Sequence, residues 1–258
     1  MTVTLAASEY GEGEPVAILH GLFGAGRNWT AVARRLAERR RFIVFDLRNH
    51  GGSSWADAMG YPEMAGDVRA AMAVRGHRRY ALIGHSMGGK VAMVAALQDP
   101  AAVTRLVVVD VAPVSYAIPY RAYVRAMLAL DLSTLRRRAD ADAALAPAIP
   151  DATERAFLLQ NLVFKSGHAP RWQLNLAALD RAMPAIAGFP ARPPGGRYDG
   201  PALFIAGGQS QYLRPKHEPA IHALFPEATV ARIADTGHLL HVERAEAFLS
   251  LTQKFLGG

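Results

Sequence analysis

Short apolar runs rich in β-branched residues alternate along this chain with longer helix-like segments, and that alternation narrows the possible fold more than any other feature. Residues 16–19, 42–45, 80–83, 103–109, 202–206 and 229–233 read as strands, because each is a brief apolar run bounded by turn formers. Several are unbroken. Such a run has no polar face to offer water, so it belongs inside a parallel sheet covered on both sides. Residues 29–39, 62–74, 87–97 and 245–255 read as the covering helices. Pro62 suits a first helical turn, where its missing N–H costs nothing. The expected class is α/β, with a mostly parallel, doubly covered sheet.

The alternation is interrupted once. From 111 to 200 no strand is evident, only helical stretches separated by Pro and Gly. Residues 120–130 and 135–145 are two of these stretches. Asp151-Ala-Thr-Glu154 has capping-box spacing ahead of a third. Residues 171–186 form a fourth, expected to break near Pro184. The Pro- and Gly-rich residues 188–196 read as the loop that returns to the sheet. The predicted organisation is a core of residues 1–110 and 201–258, with 111–200 inserted as a helical lid. That insertion falls over the carboxyl ends of the strands, where open α/β sheets bind ligands. The competing reading is a helical ornament away from any site.

Gly84-His-Ser-Met-Gly88 lies between the strand at 80–83 and the helix at 87–97. A Gly-x-Ser-x-Gly segment in that setting is a sharp turn that lifts Ser86 above the sheet, its flanking glycines allowing close backbone packing. The chain has no cysteine, so a thiol nucleophile is excluded and Ser86 is the candidate. A nucleophilic serine needs N–H donors where negative charge develops. Met87, the next residue, supplies one by position. The second belongs to the loop after an earlier strand, His20-Gly-Leu-Phe-Gly24, where the Leu22 amide is first choice and Phe23 second. His20 reads as a brace for that loop.

A general base must be a histidine within reach of the hydroxyl. Among nine histidines, His238 has the best setting, in Asp235-Thr-Gly-His238 between the last strand and the last helix. His241 is its nearest rival. His77, His217 and His222 read as surface residues, and His50 as loop architecture. His85 is expected to point away from the site. The orienting acid departs from the commonest pattern: after the strand at 202–206, Ser210 stands where a carboxylate is usual. Asp110, ending the neighbouring strand at 103–109, can reach the same histidine and is assigned as orienter, with Ser210 as an extra hydrogen-bond partner. Capping of the following turn is the alternative role for Asp110, and Glu218 and Asp199 are poorer candidates.

These segments resemble the YbfF-type esterases and their mitochondrial relatives in the α/β-hydrolase superfamily. The resemblance rests on Leu19-His-Gly-Leu-Phe-Gly24, Asp46-Leu-Arg-Asn-His-Gly51, Gly84-His-Ser-Met-Gly-Gly-Lys90, Val109-Asp-Val-Ala-Pro113, Gly207-Gly-Gln-Ser-Gln211 and Gly237-His238. It implies an α/β-hydrolase fold with a helical lid, activity on small acyl esters or acyl-CoA-like thioesters, and no cofactor. It also supports Asp110 as the acid. Carbon–carbon bond hydrolysis, a peroxide-forming activity and plain ligand binding are rival functions on the same scaffold.

Charge bears on the partners. The formal net charge of +7 is carried mostly by arginines such as Arg34, Arg35 and Arg136 to Arg138. Without aromatic interleaving these read as solvated helix faces rather than a nucleic-acid footprint. A bias toward anionic acyl groups such as acyl-CoA is a weaker expectation. No run approaches 18 apolar residues and the amino terminus resembles no targeting signal, so neither a membrane nor a nucleic-acid partner is expected, and the cytoplasm is the default location.

Overall fold

A computed structural model describes residues 1–117, 120–190 and 196–257. Among the described residues the strands are β1 (Ala7–Tyr10), β2 (Glu14–Leu19), β3 (Arg40–Phe45), β4 (Tyr80–His85), β5 (Val103–Val109), β6 (Leu162–Val163), β7 (Arg171–Trp172), β8 (Ala202–Gly207) and β9 (Ala228–Ile233). The helices are α1 (Thr30–Leu36), α2 (Tyr61–Val74), α3 (Met87–Gln98), α4 (Tyr120–Ala129), α5 (Arg138–Leu145), α6 (Ala152–Leu159), α7 (Leu176–Ala187), α8 (Glu218–Leu224), α9 (Leu240–Glu243) and α10 (Ala245–Leu256). Seven strands form one sheet in the order β1-β3-β2-β4-β5-β8-β9. Its neighbours are parallel except β1 against β3.

The unbroken apolar runs have a direct cause in this architecture. Successive side chains on a strand point to opposite faces, and here both faces are packed. Ala17, Leu19, Leu82 and Val108 fill one core, with α2 and α3 residues such as Val68 and Val91. Val16, Ile18, Ile83 and Val109 fill the other, with Val32 of α1 and Phe248 of α10. Truncating a fully buried residue such as Ile83 to alanine costs about 2–5 kcal/mol through lost burial and the cavity left behind.

The six expected strands are present, but three details differ from expectation. The first is β1, a partly exposed antiparallel edge strand too short and too polar to announce itself. The second lies between 111 and 200, where β6 and β7 form an antiparallel pair of two residues each; so short a ladder leaves no period-2 pattern. The third is Pro184, which sits inside α7 without ending it. The Asn175 side chain caps that helix by accepting from the Ala178 amide at 3.2 Å, and Leu176, Leu179, Met183 and Ile186 are buried along it. Packing of this apolar stripe outweighs the one lost hydrogen bond. Of the loop expected at 188–196, residues 191–195 lie outside the described residues.

The segment between β5 and β8 meets the rest of the chain through polar contacts as well as apolar ones. Arg27 donates to the Gln160 carbonyl at 3.0 Å and Asn161 Oδ1 at 3.2 Å. The Asn175 amide donates to the Asn49 carbonyl at 3.0 Å, and buried Lys90 donates to the Ala187 carbonyl at 3.1 Å. No helix among the described residues is long and apolar enough to cross a membrane.

Candidate active site

Ser86 occupies the turn between β4 and α3, with φ 52° and ψ −118°. A non-glycine residue stays in that region only when its surroundings enforce it. They do so through two glycines. A Cβ at Gly84 would lie 2.2 Å from the Gly88 carbonyl oxygen, and one at Gly88 would lie 2.4 Å from the Leu19 oxygen. The turn therefore packs backbone against backbone, and Ser86 lines a cavity.

Asp110 directly follows β5, with φ 50°, and is fully buried. Its Oδ1 accepts from the Gly207 amide at 3.0 Å. Its Oδ2 accepts from the Ser210 hydroxyl and from His238 Nδ1 at 2.7 Å. The sheet explains the meeting: β8 lies between β5 and β9, so the ends of all three converge at one edge. The donated Nδ1 proton leaves Nε2 as the acceptor nitrogen of His238. Tyr212 stacks on the His238 ring at 4.1 Å, and its amide donates to Ser210 Oγ at 3.2 Å. Ser210 thus lies beside Asp110, as expected of an extra partner. Nothing in the sequence marked Tyr212 beyond its place two residues later.

The loop after β2 carries Leu22 and Phe23. No acceptor among the described residues engages the Leu22 or Met87 amide, whereas the Phe23 amide donates to His50 Nε2 at 3.3 Å. Of the two choices on this loop, Leu22 is the one with a free donor. His20 braces the loop: its Nδ1 bonds the Gly21 carbonyl at 2.7 Å and its Nε2 accepts from the Leu47 amide at 2.9 Å. His50 donates from Nδ1 to the Arg48 carbonyl at 2.9 Å. Burial holds both rings neutral, pushing His20 down to about 4 and His50 to about 3.

His85 corrects an expectation. It does not turn away; its ring lies 4.6 Å from that of His238, and its Nε2 is 2.9 Å from the His238 carbonyl. The reason is that β4 continues through His85, so residues 83 and 85 share a face of the sheet. His241, the rival base, is buried and stacked on Trp29 at 4.2 Å. Its Nδ1 has no partner among the described residues. Desolvation lowers His241 to about 3 and His85 well below its usual value. His222 is exposed as read, but His77 and His217 are half-buried.

Ser86 and His238 line one cavity of about 390 Å³. Leu22 and Phe23 form part of its wall from the core, and Tyr120, Tyr123, Phe157 and Leu158 from α4 and α6. Among the described lining residues there is no Lys or Arg, and Glu154 is the one carboxylate. Glu154 accepts from the Tyr123 hydroxyl at 2.6 Å, which pushes that phenol up to about 12.

A family model described as the alpha/beta hydrolase fold matches residues 14–245. The chain belongs to the α/β-hydrolase fold family. Within that family it is 37% identical over 250 residues to the mouse sn-1-specific diacylglycerol lipase ABHD11, spanning 93% of this chain and 80% of the mouse protein. It is 32% identical over 243 residues to esterase YbfF of Escherichia coli K12, spanning 94% and 92% of the two. The solved structure of a marine microorganism esterase superposes with a TM-score of 0.94 at 33% identity, covering 98% of this chain and 100% of that one. The motif resemblance to the YbfF-type esterases therefore holds, and the chain is a hydrolase of the α/β-hydrolase family.

Proposed function

We propose that this hydrolase cleaves small, uncharged acyl esters through Ser86, His238 and Asp110. The observation that carries the reading is the placement of Ser86 and His238 on one apolar cavity, with Asp110 bonded to His238 from behind. Hydrolysis proceeds in two steps. His238 Nε2 takes the Ser86 proton as Oγ attacks the acyl carbonyl, and the Leu22 and Met87 amides donate to the oxyanion. The imidazolium, held by Asp110, protonates the departing alkoxide. Water deprotonated by the same nitrogen then attacks the acyl-enzyme and releases the acid. Thioesters fit this chemistry equally, since a thiolate leaves at least as readily as an alkoxide.

Residues 111–200 act as the lid in this reading, because α4 and α6 supply the aromatic wall against which an acyl chain packs. The cavity has no cation among its described lining, and Lys90, in a smaller pocket that Ser86 also lines, is engaged by the Ala187 and Gly188 carbonyls, so the overall positive charge is not a guide to the acyl group. The test is a panel of p-nitrophenyl esters and CoA thioesters of graded chain length, with Ser86→Ala as control. The expected result is turnover of short and medium uncharged acyl groups that falls at least about 10⁴-fold in the variant. Unchanged turnover by Ser86→Ala would exclude the assignment.

A further inference from the structure

Phe23 has φ 62°, a left-handed backbone that a bulky residue keeps only where its surroundings hold it. Both of its own polar backbone groups are held. His50 Nε2 accepts from its N–H at 3.3 Å, and Asn161 Nδ2 donates to its carbonyl at 2.8 Å. Asn161 lies in the inserted segment, just before β6, and is fully buried. Its amide is oriented by two further contacts: Nδ2 donates to the Leu158 carbonyl at 3.2 Å, and Oδ1 accepts from Arg27 at 3.2 Å.

The consequence follows from peptide planarity, which fixes a carbonyl and the next N–H in one plane, pointing in opposite directions. The Phe23 carbonyl held by Asn161 shares its plane with the Gly24 N–H. That N–H donates to the Gly21 carbonyl at 3.0 Å. The Gly21 carbonyl in turn shares its plane with the Leu22 N–H, the donor assigned to the oxyanion. Orientation therefore passes from Asn161 through two planes to Leu22, with His50 fixing the plane between them.

We infer that Asn161 is a positioning residue for the oxyanion hole, so that the inserted segment helps to set the transition-state geometry as well as covering the cavity. This rests on the reading of Leu22 as an oxyanion donor in a serine mechanism. Asn161→Asp keeps the shape and the acceptor for Arg27 but loses the donor to Phe23. In folded Asn161→Asp, kcat on p-nitrophenyl butyrate should fall about 10–100-fold with KM within about threefold, part of the roughly 10²–10³-fold effect of losing an oxyanion donor outright. Binding of 1,1,1-trifluorohexan-2-one, whose serine adduct places an oxyanion in the hole, should weaken by the same factor. A folded variant with kcat within about threefold of wild type, or a loss confined to KM with unchanged ketone binding, overturns the inference.

If Asn161→Asp does not fold, the other half of the clamp decides. His50→Gln offers an acceptor near the former Nε2 position and should retain more than about tenfold higher kcat than His50→Leu. Equal losses in the two overturn the inference. Fluorophosphonate labelling separates this outcome from failure of the underlying mechanism. A wild-type protein labelled at Ser86 keeps the serine reading whatever Asn161 does, and one left unlabelled loses both.

Discussion

The sheet core and the inserted helices solve the same problem differently. The core is held by apolar side chains alternating into two packed layers, so each strand contributes whichever way it faces. The insertion shares a buried apolar cluster with one face of that core, through residues such as Leu158, Leu176 and Ile186, and adds directional contacts at Arg27, Asn49 and Lys90. Apolar burial is roughly proportional to area and indifferent to direction. Hydrogen bonds are directional, and losing one partner strands the other. The core places Ser86 and His238 on loops beyond its strand ends, and the insertion supplies part of the wall of the cavity they line.

The comparison is broken most severely at the core. Asp110→Asn should lower kcat by roughly 10³–10⁴-fold, because the imidazole loses both its preferred tautomer and its stabilising charge. Ser210→Ala removes one of several bonds to the same carboxylate and should cost about tenfold or less. Steady-state kinetics on one ester checks both, and the opposite ranking would move the orienting role to the β8 loop.

Acid sharpens the contrast next. His20, His50, His85 and His241 are buried in the core with folded values pushed down from 6.5, to about 4, 3 and 3 for the first, second and fourth. The insertion carries only His168, which is exposed. As pH falls below 6.5 the unfolded chain takes up these protons before the folded one does, so stability declines from about pH 6.5 down to about 3 and is insensitive to them above. Three or four extra protons correspond to roughly a 10³–10⁴-fold change in the unfolding equilibrium per pH unit in the middle of that window. Denaturant unfolding at stepped pH reads the slope. A flat profile down to pH 5 would contradict the buried, neutral assignment.

Smaller effects belong to the insertion. Phe157→Ala should raise KM for hexanoate esters about tenfold with little change in kcat, since it removes apolar wall and touches no reacting atom. Glu154→Gln should improve turnover of esters with a terminal carboxylate about threefold, by removing a like charge from the cavity lining, and leave butyrate esters unchanged. A kcat loss in either variant would place these side chains closer to the chemistry than the cavity indicates.

The same division explains what could be read beforehand. The β5 strand is found over the residues expected, because a strand buried on both faces writes its full length in apolar letters. The placement of Ser86, Asp110 and His238 at one edge was legible because each lies on the loop that follows a strand, and parallel strands bring those loops to one edge. His85 was misjudged because β4 runs two residues further than expected, to His85, which puts that side chain on the face of Ile83. The two-residue strands β6 and β7 had no pattern to show. The clamp on Phe23 joins residues 138 apart in sequence, through groups whose polarity alone names no partner. Directional contacts of that kind emerge only when the fold is assembled.

The claim at the centre is that Ser86 is the group activated by His238. Reaction with a fluorophosphonate followed by peptide mass mapping tests it directly. The account predicts one adduct per chain, on Ser86, whose formation slows by orders of magnitude in His238→Ala. An adduct on another residue, or labelling at Ser86 that proceeds as fast without the imidazole, would contradict it.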